Sequence, residues 1–470
     1  MNRFSAVIAG AFAWLAASSQ TPANYSSLYT GLPVEVAQVT PVTFPDRSAS
    51  IISHGATGDA VTLNTAAIQG CIDSLATLGG GTVEIPSGVW LTGPLELRSN
   101  ICLHLAPTAI LYFSPDKSLY DDGPRSRFKP CITARNCTNI GITGRGLIDG
   151  NGVQWRPVKR GKVSPTEWSR FKDMGGVERN EGSMWYPWQL RSGYPDLAPT
   201  PEKQEGRRND LFRVFDCSGI LLKDVTFQNS PKFHVHPFNS ENIIIDGITV
   251  RCPWNAQNGD AIDLSDCHRC LITGATVDAG DDGICLKSGS AKKGTEINGV
   301  HDVLIQDCVV YAAHGGFVIG SEDICGIERV VCRDCRFSGT ETGLRFKSAI
   351  SRGGVTRDIY ITRVMMSDII HSAVTFECTY NLANANIKPG EVDQSKPYNV
   401  PEFTDIHISD IVCRGCKTGV SASGIKGFNC VHDIEISNST FVYTREATAI
   451  DPSTTSLNFS DVNFVADRKQ

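Results

Sequence analysis

Short strand-patterned segments recur along most of the chain, and no other feature constrains the fold as strongly. GILLKDVTFQ, NIIIDGITVRC, DVLIQDCVVY, DIYITRVMMS, DIHISDIVCRG and DIEISNSTFVY share one layout: a turn residue, an alternating apolar run, one or two polar residues and a second run. Their lead residues include Ile220, Ile243, Cys270, Val303, Val330, Ile359, Ile406 and Ile434, spaced by 23, 27, 33, 27, 29, 47 and 28 residues. A unit of this size buries its apolar face only by stacking on its neighbours, so the period indicates a solenoid. Leucine-rich repeats lack support because no regular leucine and asparagine spacing exists, and propeller blades would be longer. The expected fold is all-β, a single-domain right-handed parallel β-helix. Its first coil would expose a strand edge. Ile68, Ile72 and Leu75, on one face of a helix capped by Asn64 or Thr65 and stopped at Gly79–Gly81, supply the N-terminal capping helix.

Residues 1–20 combine Arg3 with an apolar run and small residues, the pattern of a secretory signal peptide; a short uncleaved anchor is the alternative. Residues 21–48 read as an extended N-terminal arm, and 49–470 as the β-helix domain. An insertion at 151–208 holds four of the seven tryptophans (Trp155, Trp168, Trp185, Trp188) and 11 Lys/Arg against 7 Asp/Glu. Its aromatic faces and positive charge suit acidic sugars, while a self-packed mini-core is equally compatible. A second insertion, Asn381–Val400, reads as a rim loop. The net charge of −6 gives no reason to expect nucleic acid or a membrane as partner. The expected product is a monomer, secreted or periplasmic. Seventeen cysteines permit disulfides or packing. Cys137, Cys217 and Cys267 each lie three residues before a strand, as a stacked column would. The CxxC pairs Cys267/Cys270, Cys332/Cys335 and Cys413/Cys416 occupy different registers and do not make one metal site.

Four segments stand apart: NGDAIDL from Asn258, GDDGICLK from Gly280, HGGFVIG from His314 and GLRFK from Gly343. Aligning Ile262, Ile284, Phe317 and Leu344 as first apolar residues of successive strands stacks Asp260 beside Asp282 and Asp281 beside His314. Strand alternation turns Cys285, Lys287, Arg345 and Lys347 to the same outer face. Coils sit about 4.8 Å apart, so the stacked carboxylates raise at least one pKa, and one carboxyl can hold a proton while another stays ionised. Glycoside cleavage needs that division. A calcium site or an aspartate ladder is the simpler reading of GDD alone; Arg345 and Lys347, suited to a carboxylate-bearing substrate, shift the balance.

These segments resemble the signatures of glycoside hydrolase family 28, the polygalacturonases and related pectinases. Asn258-Gly259-Asp260, Gly280-Asp281-Asp282, Ala313-His314-Gly315 and Arg345-Phe346-Lys347 stand in the family's order. HGGFVIGSE and the Ser351–Val355 segment look most like its bacterial exo-acting branch. The resemblance implies a hydrolase of α-1,4-linked galacturonic acid acting by inverting single displacement, without cofactor or metal. Asp281 then resembles the general acid, Asp260 and Asp282 the pair activating water, and His314 a tuner of the acid. Inversion implies acid–base carboxyl separations of roughly 6.5–9.5 Å. Arg345 and Lys347 resemble the galacturonate-binding pair. Tyr380, a coil later, is a further candidate for the sugar carboxylate. His236, with His234 two residues earlier, is a candidate groove residue, and Lys287 either contacts substrate or neutralises the aspartates. Trp254 is a wall of the site or part of the core. Gly259 and Gly283 depart from the family's Thr and Cys and are expected to widen the floor; Phe346 replaces Ile on the inward face. A rhamnogalacturonan- or xylogalacturonan-directed hydrolase, a calcium-dependent pectate lyase and a carbohydrate-binding β-helix remain alternatives.

Overall fold

The computed structural model describes residues 23–123, 126–188, 197–289, 299–350, 352–380 and 400–467. The signal read at 1–20 and all of the rim loop except Val400 lie outside these residues. The eight lead residues form one ladder, each beside its counterpart in the next coil. The ladder continues back to Ile140 and Ile101 and forward to Leu457. The strands belong to one 31-stranded sheet with parallel pairing between coils, wound as a right-handed parallel β-helix.

The turn residues explain why the repeats begin with NI, DV or DI. The residue just before the lead position has a left-handed backbone in coil after coil: Asn242 at φ 53°, Asp302 at 56°, Asp358 at 59° and Asp433 at 51°. Asn and Asp tolerate that conformation better than other side chains, and glycine (Gly219, φ 77°) fills it once. The bend lies within the strand and is followed by the inward-facing lead residue.

The core is a continuous stack of aliphatic and aromatic side chains running the length of the solenoid. Phe346 is fully buried, stacked on Phe376 at 4.4 Å and edge-on to Phe317 and Phe403, which places it inward as its parity requires. Helix α1 (Thr65–Thr77) closes the first coil, burying Ile68, Cys71, Ile72 and Leu75. Its cap residue Asn64 does not bond the helix N-terminus; its side chain instead bonds Thr57, Thr62 and Leu91.

The arm does more than extend. Tyr29, Val36, Val39 and Val42 pack on an outer apolar column of Ile244, Leu271, Leu304 and Val331, one residue from each of four coils. Side chains of the solenoid's turns fix its backbone: Asn242 accepts from Thr40 N–H at 2.7 Å and Asp302 from Ala37 N–H at 3.2 Å. Sixteen of the seventeen cysteines, all but Cys325, are buried and unbridged. Cys137, Cys217 and Cys267 pack at the turns where the column was expected.

The insertion carries a three-stranded antiparallel sheet (Val158–Lys159, Met184–Tyr186, Val177–Arg179) and α2 (Pro165–Asp173), which opens with a Ser164/Glu167 capping box. Trp168 and Trp185 bury against Val158 in a core of their own, and Trp155 packs edge-on to Tyr120 and Phe128. These three tryptophans are packing residues, not a sugar platform. Many of the insertion's arginines are anchors: Arg156 bonds Ser230 and Asn229, Arg207 bonds Asp121, and Arg208 bonds Glu205 and the Pro231 carbonyl.

Removing the Phe346 ring would leave a cavity in the aromatic stack. Phe346→Ala should lower unfolding free energy by about 3–5 kcal/mol, and Phe346→Leu by much less, measured by denaturant titration.

Candidate active site

Six stacked strands carry the site: β1 (Val235–Phe238), β2 (Ile262–Ser265), β3 (Ile284–Ser288), β4 (Gly315–Asp323), β5 (Thr342–Lys347) and β6 (Ser372–Glu377). Ile262, Ile284, Phe317, Leu344 and Val374 are direct neighbours. Two residues before the leads, Asp260 and Asp282 therefore face each other across adjacent coils, tied by the Ala261 N–H to the Asp282 carbonyl at 3.0 Å. Three residues before, Asp281 meets His314. The His314 N–H donates to the Asp281 carbonyl at 2.7 Å, and its Nδ1 lies 2.9 Å from Asp281 Oδ1.

Stacking like charges this closely requires cations, and the structure supplies three. Lys347 Nζ donates to Asp282 Oδ2 at 2.7 Å, with Arg345 3.8 Å from Oδ1. Lys287 Nζ lies 3.2 Å from Asp263, 3.7 Å from Asp260 and 3.9 Å from Asp282. Burial raises the Asp260 carboxyl well above the usual range, and Asp263 and Asp281 add to that push. Burial acts on Asp282 too, but Lys347, Lys287 and Arg345 outweigh it and hold Asp282 well below the usual range. The crowded pair thus divides as expected from stacking, with Asp260 pushed up and Asp282 held down. Asp260 Oδ1 and Asp282 Oδ1 are buried and have no hydrogen-bond partner within the protein. The Asp281 side chain is 21% exposed, against 4% for Asp260 and 1% for Asp282, and it is the carboxyl that reaches the surface.

The remaining expectations divide. Tyr380 lies over both basic heads, its ring centroid 5.6 Å from Arg345 and 5.2 Å from Lys347. Trp254 is 51% exposed and is a wall, not core. His236 is not a groove residue: it is buried, with Nδ1 2.7 Å from Asp210 and Nε2 2.9 Å from Ser265. His234 is fully buried, and its Nδ1 meets the Asp260 carbonyl at 2.8 Å. A carbonyl only accepts, so Nδ1 carries the proton and Nε2 accepts from the Ser230 N–H. Burial pushes this histidine down to about 4, keeping it a neutral prop beneath Asp260. Lys287 is a buried counter-ion of the aspartates.

One geometric expectation fails. The glycines do not widen the floor, because neighbours fill the space. A Cβ on Gly283 would meet Val310 at 2.8 Å and the Gly315 carbonyl at 2.9 Å, and one on Gly259 would meet Ala256 and Cys252 at 2.9 Å. Asp281, Asp282 and His314 each present a donor atom within 4.8 Å of the others.

Sequence reasoning missed several participants. Asp263 shares the outward parity of β2 and was legible from NGDAIDL. Glu322 and Arg352, from the HGGFVIGSE and Ser351–Val355 segments, form an ion pair at 2.6 Å, with Arg352 also on Ser321 at 2.8 Å. Lys162, from the insertion, places Nζ 2.7 Å from His314 Nε2. Lysine only donates, so Nε2 accepts, and the His314 proton sits on Nδ1 facing Asp281.

Several known proteins are similar to this chain. The model of glycosyl hydrolases family 28 matches residues 192–441. A probable polygalacturonase of Vitis vinifera is 29% identical over 71% of this chain and 63% of its own length. An exo-poly-alpha-D-galacturonosidase of Dickeya chrysanthemi is 26% identical over 90% of this chain and 71% of its own. The chain thus spans somewhat under two thirds of the first relative's length. The crystal structure of a hyperthermoactive exopolygalacturonase from Thermotoga maritima superposes with a TM-score of 0.73 at 25% identity, covering 91% of this chain and 94% of that one.

The charge pattern sets a pH dependence. The depressed Asp282 contributes stability that is present above the ordinary carboxylate pKa of about 3.9 and is lost as pH falls below it. The raised Asp260 does the reverse, its stability being lost as pH rises from about 3.9 toward its elevated value. At pH 7, Asp282→Asn should therefore cost about 3 kcal/mol or more by stranding buried cations, whereas Asp260→Asn should be neutral or stabilising in thermal melts. Lys347→Met removes the nearest charge holding Asp282 ionised. It should move the acid limb of the activity profile upward by about one pH unit or more, read from kcat/KM against pH.

Proposed function

The chain belongs to glycosyl hydrolases family 28, and on that premise we propose that it is a polygalacturonase, cleaving α-1,4-linked galacturonate by inverting hydrolysis from a chain end. The observation that carries this reading is the juxtaposition of the stacked Asp260 and Asp282 and a surface-reaching Asp281 beside a basic pair suited to a sugar carboxylate. Asp281 donates a proton to the leaving glycosidic oxygen from the oxygen not held by His314. Water held against the free oxygens of Asp260 and Asp282 attacks the anomeric carbon, and Asp282 takes its proton. Arg345 and Lys347 bind a galacturonate carboxylate, with Tyr380 packed over both. Exo action is supported by the insertion, whose Lys162 reaches His314 from outside the repeat. Export to the periplasm or medium is supported by the N-terminal signal pattern.

The test is digestion of polygalacturonic acid in the presence of EDTA, with products followed by chromatography and NMR. Galacturonate monomer should appear from the first time points, with the β-anomer formed first. Asp281→Asn should be slower by a factor of about 10² to 10⁴. A ladder of oligomers would overturn exo action, and an initial α-anomer would overturn inversion. Loss of activity in EDTA with unsaturated products would favour a lyase.

A further inference from the structure

Lys162 enters the catalytic centre from outside the repeat, on a firmly built platform. It ends a single helical turn (Arg160–Lys162) that follows the edge strand Val158–Lys159, paired to Met184 and Trp185. The Trp168–Trp185 core and the capped helix α2 hold that strand in place. Its Nζ sits 2.7 Å from His314 Nε2 and 5.9 Å from the centre of the Trp254 ring, half of which is open to solvent. The charged groups around it are Asp281 and Glu341, with Lys159 opposing, and partial burial presses its pKa down. A neutral imidazole is a poor partner for a half-buried ammonium, and a carboxylate would satisfy it better.

The placement is complementary to the basic pair. His314 lies three residues before its strand's lead position; Arg345 and Lys347 lie one and three after theirs. A run of contacts leads from Lys162 through His314 to Asp281, and from Asp282 to Lys347, so the two cationic ends flank the adjacent aspartates. We propose that Lys162 and the open face of Trp254 form a second uronate subsite. It takes the carboxylate and ring of the galacturonate joined, through the scissile bond, to the one held by Arg345 and Lys347. This rests on the polygalacturonase reading above. Lys162 moves from His314 to the incoming carboxylate, so that each sugar flanking the acid is anchored by a cation and the second also stacks on an indole.

The test compares wild type, Lys162→Met and Lys162→Arg on polygalacturonic acid and on methyl-esterified oligogalacturonides, with melting curves to verify folding. Lys162→Met should raise KM on the free acid about ten- to hundredfold while kcat moves far less. Lys162→Arg should recover most of the loss, and the preference for free acid over ester should shrink in the Met variant. An unchanged KM would overturn the subsite, whether kcat holds or falls with a shifted pH profile; the latter outcome would mean that the lysine acts through His314. If wild type itself leaves polygalacturonic acid intact, the functional reading falls, and the subsite with it. If wild type cleaves and Lys162→Met matches it on every substrate, the subsite alone falls.

Discussion

Parallel stacking in strict register is the constraint from which the rest follows. A residue at a given position of one coil stands about 4.8 Å from the same position of the next, whatever its charge. In the core this makes aromatic and aliphatic columns; at the strand entrances it drives Asp260 against Asp282. The molecule answers the resulting repulsion with cations drawn from later positions of the same strands, Lys287 from the same coil as Asp282 and Lys347 from two coils on. Asp282 is the hub: removing its charge would strand cations, and removing them would return its proton. The catalytic polarity of the site is thus a by-product of how a β-helix must pack.

The ladder was legible because its lead residues and turns repeat, and a repeat transmits register. All eight assigned lead residues pair as spaced, and the four motif strands pair at Ile262, Ile284, Phe317 and Leu344. Parity told which face a side chain takes but not how deep it lies. Lys287 and His236 do face outward from the core, yet neighbouring side chains cover them, and their polar atoms are taken by Asp263, Asp210 and Ser265. Depth depends on what the adjacent coils place above a residue, which alternation does not encode.

Two further features could not be read from the sequence for a related reason: they concern segments outside the repeat. The insertion's tryptophans carry no period, so nothing in the sequence separated a sugar platform from a private core, and the hydrophobic effect chose the core. Lys162 was invisible among eleven cations of the same segment. The docking of the arm did leave a trace. ILL, III, CLI, VLI and VVC run three apolar residues together where alternation calls for a polar one. The middle residues of the last four are Ile244, Leu271, Leu304 and Val331, the column the arm covers.

That arm alters how the solenoid behaves as a mechanical object. Coils that touch only their neighbours can in principle open one at a time from either end, like a spring losing turns. A strap laid crosswise over several turns joins units that the winding leaves independent. Fraying of any one strapped coil must then detach part of the strap, and with it contacts made by the others. The strapped coils include those of Cys270 and Val303, whose neighbouring strands carry Asp260 and Asp282. The coils that carry these aspartates are therefore tied to one another by a segment from outside the repeat.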